Sequence, residues 1–146
     1  MAESGRNQGY LGIDSNVLSA YLLPDHPDHK ATMILTKENH AVNPTVLHET
    51  YHASVFKLRR NSYDTLRVLL DYMDLALCLT IDSNVVRRGL ELADKHSLGG
   101  RDGLILAPYL LSRKIRAFVT MDKSLLSLNQ VRIGGRELGI VSPGEL

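Results

Sequence analysis

The hydrophobic period of this chain switches repeatedly between strand and helix, and that alternation limits the folds open to it more than any other feature. Tyr10-Leu11-Gly12-Ile13 reads as a short buried strand, and residues 40–43, 75–80 and 117–120 as three more. Ile140-Val141 supplies a fifth within a turn-rich tail. Between the strands the pattern turns helical. Residues 16–23 form a helix closed by Pro24, and residues 27–38 put Ala31, Ile34 and Leu35 on one face. Asn43-Pro44 reads as an N-cap with proline at the first helical position, opening a helix that carries Leu47, Tyr51, Val55 and Leu58. Residues 63–73, 82–96, 101–113 and 124–128 follow as helices. Strands alternating with helices predict an α/β fold whose parallel sheet is covered on both faces.

The chain's 146 residues suit one domain, expected over residues 10–146 after a flexible N-terminal tail of residues 1–9. The tail lacks the apolar segment of a secretory signal. The longest apolar run is about eight residues, from Leu104 to Leu111, and Pro108 interrupts it. A membrane span needs about 20, so no membrane partner is expected. Cys78 is the single cysteine, so no intrachain disulfide forms, and a reducing, cytoplasmic setting is expected. Cys78 itself reads as a packed strand residue. Seventeen Lys and Arg against sixteen Asp and Glu give a net charge of +1, which neither demands nor excludes nucleic acid. With no Trp and only 2 Phe, base stacking is not expected to be the main mode of binding.

Ligands of open parallel sheets gather beyond the carboxyl ends of the strands, and acids cluster there in this sequence. Asp14 follows the first strand, Asp122 follows the strand at 117–120, and Glu49 lies in the helix after the second strand. Asp102 opens a helix after Gly99-Gly100-Arg101. Singly, each acid also suits a helix first turn or a turn. Together they bring four carboxylates to one sheet edge, where they need a cation among them. All-oxygen ligands suit Mg²⁺ or Mn²⁺, and such a site can activate water against a phosphodiester.

The ordered set Ile13-Asp14-Ser15-Asn16-Val17-Leu18, the helical Glu49, Arg101-Asp102-Gly103-Leu104-Ile105-Leu106-Ala107 and Val119-Thr120-Met121-Asp122 resembles the PIN domain. These are metal-dependent ribonucleases, and their single-domain members include the VapC-type toxins of toxin–antitoxin pairs. The resemblance runs over residues 10–142. It implies a three-layer α/β/α sandwich around a five-stranded parallel sheet, order 3-2-1-4-5. It implies that Asp14, Glu49, Asp102 and Asp122 bind Mg²⁺ or Mn²⁺ and that Asn16 and Thr120 orient them or the water. It further implies an RNA substrate, a homodimer and an antitoxin whose C-terminal segment blocks the site. A role in RNA processing outside a toxin–antitoxin system fits the same residues.

A competing motif overlaps the site. His48-Glu49-Thr50-Tyr51-His52 spells the H-E-x-x-H of zinc hydrolases. The longer form of that motif needs Gly at 55 and His at 58, where this chain has Val55 and Leu58. The alternative leaves two half-exposed histidines on a helix packed through Leu47, Tyr51 and Val55. A strand-Asp phosphatase needs a second Asp two residues on, and Asn16 stands there. Among the basic groups, Arg101 is a candidate to pair with a carboxylate or face phosphate. Arg113, Lys114 and Arg116 are candidates to hold RNA phosphates, and Lys57, Arg59 and Arg60 form another basic cluster. Pro108 is expected to kink its helix.

Overall fold

The computed structural model describes residues 9–146, so the expected tail lies outside the described residues except for Gly9. Six strands form one sheet: β1 (Tyr10–Ile13), β2 (His40–Val42), β3 (Leu77–Cys78), β4 (Ile115–Val119), β5 (Gln130–Ile133) and β6 (Arg136–Val141). Their spatial order is β3-β2-β1-β4-β6-β5. The first five in that order are mutually parallel. The expected order therefore holds, with β6 as the fifth parallel strand.

The addition is β5, which pairs antiparallel with β6 through a Gly134-Gly135 turn. Gly134 takes the left-handed backbone (φ 58) such a tight turn needs. Val131, Ile133, Leu138 and Ile140 are buried and alternate with more exposed neighbours, so the hairpin turns one face to the core. At the outer side of β5, Lys95 Nζ donates to the Arg132 carbonyl at 2.9 Å. The Arg132 N–H in turn reaches His96 Nε2 at 3.4 Å.

The helices are α1 (Ser15–Leu22), α2 (His29–Thr32), α3 (Pro44–His52), α4 (Ser62–Leu75), α5 (Ser83–His96), α6 (Gly100–Leu111) and α7 (Lys123–Leu126). Right-handed crossovers place the helices between β1 and β3 on one face and α5 and α6 on the other. The helix expected over 27–38 divides into α2 and a 3₁₀ segment, Met33–Lys37. The α3 helix gives way to a π turn at Ala53–Lys57. Asn43 caps α3 by accepting from the Val46 N–H at 3.2 Å, and its Nδ2 donates to the Ile105 carbonyl at 3.0 Å. One buried side chain thus ties the start of α3 to α6.

Tyr109 of α6 lies under the sheet centre. Its hydroxyl donates to the Ile13 carbonyl at 2.8 Å. A Cβ on Gly12 would stand 2.6 Å from the Tyr109 ring, so only glycine lets the ring lie there. Gly89 and Gly103 meet backbone to backbone, bringing α5 and α6 closer than any side chain allows. The α6 helix continues through the buried Pro108.

The third strand is shorter than the sequence suggests. Leu75 ends α4 and is 88% exposed, leaving Leu77–Cys78 as a two-residue edge strand. Cys78 is exposed there rather than packed, because β3 has a neighbour on only one side.

Candidate active site

The carboxyl ends of β1 and β4 turn directly into helices, and each turn carries an acid. Asp14 is the N-cap of α1, where its Oδ1 accepts from the Ser15 N–H at 2.8 Å. Asp122 is the N-cap of α7, and its Oδ1 accepts from the Ser124 N–H at 2.8 Å and the Ser124 hydroxyl at 2.6 Å. The capping reading and the site reading of these acids are compatible, since each cap engages Oδ1 alone. Asp102 sits in the first turn of α6. Glu49 lies on α3, five residues past its first position.

Thr120, fully buried between β4 and α7, joins two of the acids. Its hydroxyl donates to Asp14 Oδ2 at 2.7 Å and accepts from the Asp122 N–H at 3.0 Å. Asn16 holds the same corner: its Oδ1 accepts from the Met121 N–H at 3.1 Å, and its Nδ2 donates to Thr120 Oγ1 at 3.4 Å. Both residues read from the sequence as orienting neighbours therefore touch this corner. A contact missed in the sequence comes from Ser15, whose hydroxyl donates to Glu49 Oε1 at 2.9 Å. Its place beside Asp14 on a helix start was the available signal.

Burial and like charge govern the electrostatics. Asp14 is 5% exposed, and desolvation lifts its carboxyl to about 6. Glu49 and Asp102 add to the rise, while the hydrogen bonds from Thr120 and Ser15 oppose it. Asp102 is also raised, by burial first and then by Asp122 and Glu49, against the pull of Arg101. Asp122 is lowered, chiefly by the Ser124 hydroxyl. The four acids thus act on one another across one sheet edge.

Arg101 supplies positive charge there. Its Nε lies 2.8 Å from Glu49 Oε2. The contact is an ion pair without hydrogen-bond alignment, so Glu49 Oε2 is buried with no hydrogen-bonded partner. An all-carboxylate donor set, with Glu49 Oε2 met only by the Arg101 ion pair, fits a hard divalent cation. Among the described residues, no three His, Cys, Asp or Glu side chains already stand at ligand spacing. The four carboxylates fit such an ion by the chemistry of their oxygens.

A cleft of about 520 Å³ opens beside Glu49, the one of the four acids that lines it, with Ser15, Asn16, His48, Lys57 and Arg101 among its other walls. Arg113, Lys114 and Arg116 are not brought to it. They stand at the start of β4, and Asp122 follows its end. Five strand residues at about 3.3 Å each put roughly 17 Å between them. Arg116 pairs instead with Glu38 at 2.6 Å. Lys57, at the end of the π turn, is the basic side chain of the 57–60 cluster that reaches the cleft.

The PIN domain family's sequence profile matches residues 12–130. The chain belongs to the PIN domain family. A search of curated protein sequences found no match. Among solved structures, the chain is similar to VapC20 of Mycobacterium tuberculosis, described as a sarcin-ricin loop cleaving toxin. The TM-score is 0.67 at 13% identity, covering 86% of this chain and 98% of that one. It is similar to a toxin-antitoxin complex from Klebsiella pneumoniae, with TM-score 0.63 at 19% identity over 92% of this chain and 97% of that one. It is also similar to the DNA-bound VapBC of Salmonella typhimurium, with TM-score 0.62 at 15% identity over 92% and 98% of the two chains. At these identities the likeness is one of fold.

Proposed function

We propose that this chain is a Mg²⁺- or Mn²⁺-dependent ribonuclease and the toxin of a toxin–antitoxin pair. The observation that carries the reading is the corner where Thr120 couples Asp14 to Asp122, with Glu49 and Asp102 within electrostatic reach. The family, and the toxin and toxin-antitoxin complex among the proteins of similar fold, support it. Asp14, Glu49, Asp102 and Asp122 are the residues that would hold the ion. Bound there, it would lower the pKa of water and offset charge on the phosphodiester.

The chain's own groups have separable tasks. Thr120 holds the Asp14 carboxylate and the Asp122 backbone, Asn16 braces Thr120 and Met121, and Ser124 holds the Asp122 carboxylate. Ser15 holds Glu49 by one oxygen and leaves the other turned toward Arg101. Arg101 and Lys57 flank the cleft as cations for RNA phosphates. Hydrolysis of this kind needs no protein nucleophile. Action in the cytoplasm, a homodimer and an antitoxin that covers the acids complete the proposal. Among the described residues, no helix is long and apolar enough to cross a membrane.

The test is RNA cleavage by the purified chain with Mg²⁺ or Mn²⁺, lost in EDTA and lost in Glu49→Gln. Cleavage that survives both treatments would overturn the reading. A small protein encoded next to this chain that suppresses cleavage supports the toxin role; cleavage indifferent to any such neighbour supports RNA processing.

A further inference from the structure

The helix that carries Glu49 bears three rings on its solvent side. His48, His52 and Phe56 are four residues apart in sequence, and the π turn continues the helix far enough to keep the third in line. The ring centroids of His48 and His52 are 6.2 Å apart with a 34° tilt between planes. Those of His52 and Phe56 are 5.0 Å apart with a tilt of 36°. All three side chains are exposed, and Phe56 leaves 59% of its surface in water. Phe56 is one of several large apolar side chains left at the surface, and what sets it apart is its place in line with the two histidine rings. His48 and His52 line the same cleft as Glu49 and Arg101, and the row leads outward from it to Phe56.

Three rings in file beside a cleft that carries cations match the two needs of a single-stranded nucleic acid: a π surface for bases and positive charge for phosphates. A purely apolar partner would not call for Lys57 and Arg101 at the same place. Resting on the ribonuclease reading above, we infer that His48, His52 and Phe56 form a stacking strip for unpaired RNA bases next to the scissile bond. The overlap with H-E-x-x-H then has a different origin. Glu49 faces the acids while its flanking histidines begin the strip. Histidine rings do not enter an aromatic count, so composition hides two of the three members.

The test is binding of a labelled unstructured oligoribonucleotide of about 12 nucleotides to the full chain in EDTA, beside an abasic strand of equal length. Base stacking on an aromatic side chain is worth about 1–3 kcal/mol, so Phe56→Leu and His52→Ala should each weaken binding about 5- to 150-fold. Phe56→Tyr should bind like the wild type, and the abasic strand should bind all variants alike. Phe56 is exposed, so leucine there leaves the core untouched. Unchanged affinity in Phe56→Leu, or an equal loss on the abasic strand, overturns the strip. So does a change in sedimentation mass with RNA affinity intact, which would mark a face for protein. These outcomes stand apart from failure of the ribonuclease reading itself, which shows as no RNA cleavage by the wild type with Mg²⁺ or Mn²⁺.

Discussion

Arg101 and Glu49 are partners of unequal exposure: the guanidinium side chain is 71% exposed, and the carboxylate it meets at 2.8 Å is 15% exposed. The cation comes from solvent to an anion set in the protein. Such a half-exposed pair contributes under about 1 kcal/mol to stability. Arg101→Gln should therefore change the metal-free melting curve little. It should tighten Mg²⁺ binding in calorimetry, since a competing positive charge leaves Glu49, Asp102 and Asp122. Weaker Mg²⁺ binding in the variant would show that Arg101 supports the ion site rather than competing for it.

Asp14 gives the metal-free protein a pH-dependent stability with a definite sign. Its carboxyl titrates at about 6 in the fold against 3.8 in the unfolded chain. The folded state holds the proton more tightly, so this contribution is fully present below pH 3.8 and lost as pH rises through about 6. About two pH units of separation correspond to about 3 kcal/mol. Urea melts in EDTA from pH 4 to 7, with Asp14→Asn subtracted from wild type, isolate this group from His40 and the other acids. The difference should favour the variant increasingly toward pH 7. A flat difference would mean that Asp14 is solvated in the fold.

Asp102 extends the same logic to the ion. Burial and its acidic neighbours raise it, so Asp102→Asn should stabilise the metal-free protein while abolishing cleavage. Mg²⁺ at 100 times its dissociation constant should stabilise the wild type by about 2.7 kcal/mol. The variant should gain much less. Thermal melts of both proteins in EDTA and then in Mg²⁺ measure this. A lower melting point for Asp102→Asn in EDTA, with equal responses to Mg²⁺, would make Asp102 a helix-start residue only.

The Gly89–Gly103 contact sets the position of Asp102. A methyl group at 103 must push α6 away from the Gly89 backbone. Gly103→Ala should cost about 1–3 kcal/mol or more. Its effect on cleavage should exceed that of an equally destabilising change at the remote core residue Leu138. Equal effects per unit of lost stability would mean that α6 relaxes without moving Asp102.

All five expected strands, the third shortened to two residues, and the acids beyond β1 and β4 were legible because each rests on a local signal. An apolar run ends, a polar cap begins, and parallel topology carries those ends to one edge. The hairpin was legible in principle: Val131, Ile133, Leu138 and Ile140 alternate around Gly134-Gly135. It was lost because the intervening Arg132, Arg136 and Glu137 made the tail read as turns. Arg113, Lys114 and Arg116, candidates to hold RNA phosphates, stand at the start of β4, and Asp122 follows its end. A strand separates its two ends, and sequence proximity does not cross it. The Arg101–Glu49 pair was left open in the sequence, since it joins two helices that only the tertiary fold brings together.

The grip of Lys95 and His96 on Arg132 bears on how copies of this chain behave when crowded together. A sheet grows by adding strands wherever its border offers free amides and carbonyls. One border here is β3, only two residues long. At the other, an ammonium and an imidazole from α5 already engage the Arg132 carbonyl and amide. Among the described residues, then, one border is short and the other is partly engaged, which leaves a stray strand little ladder to climb.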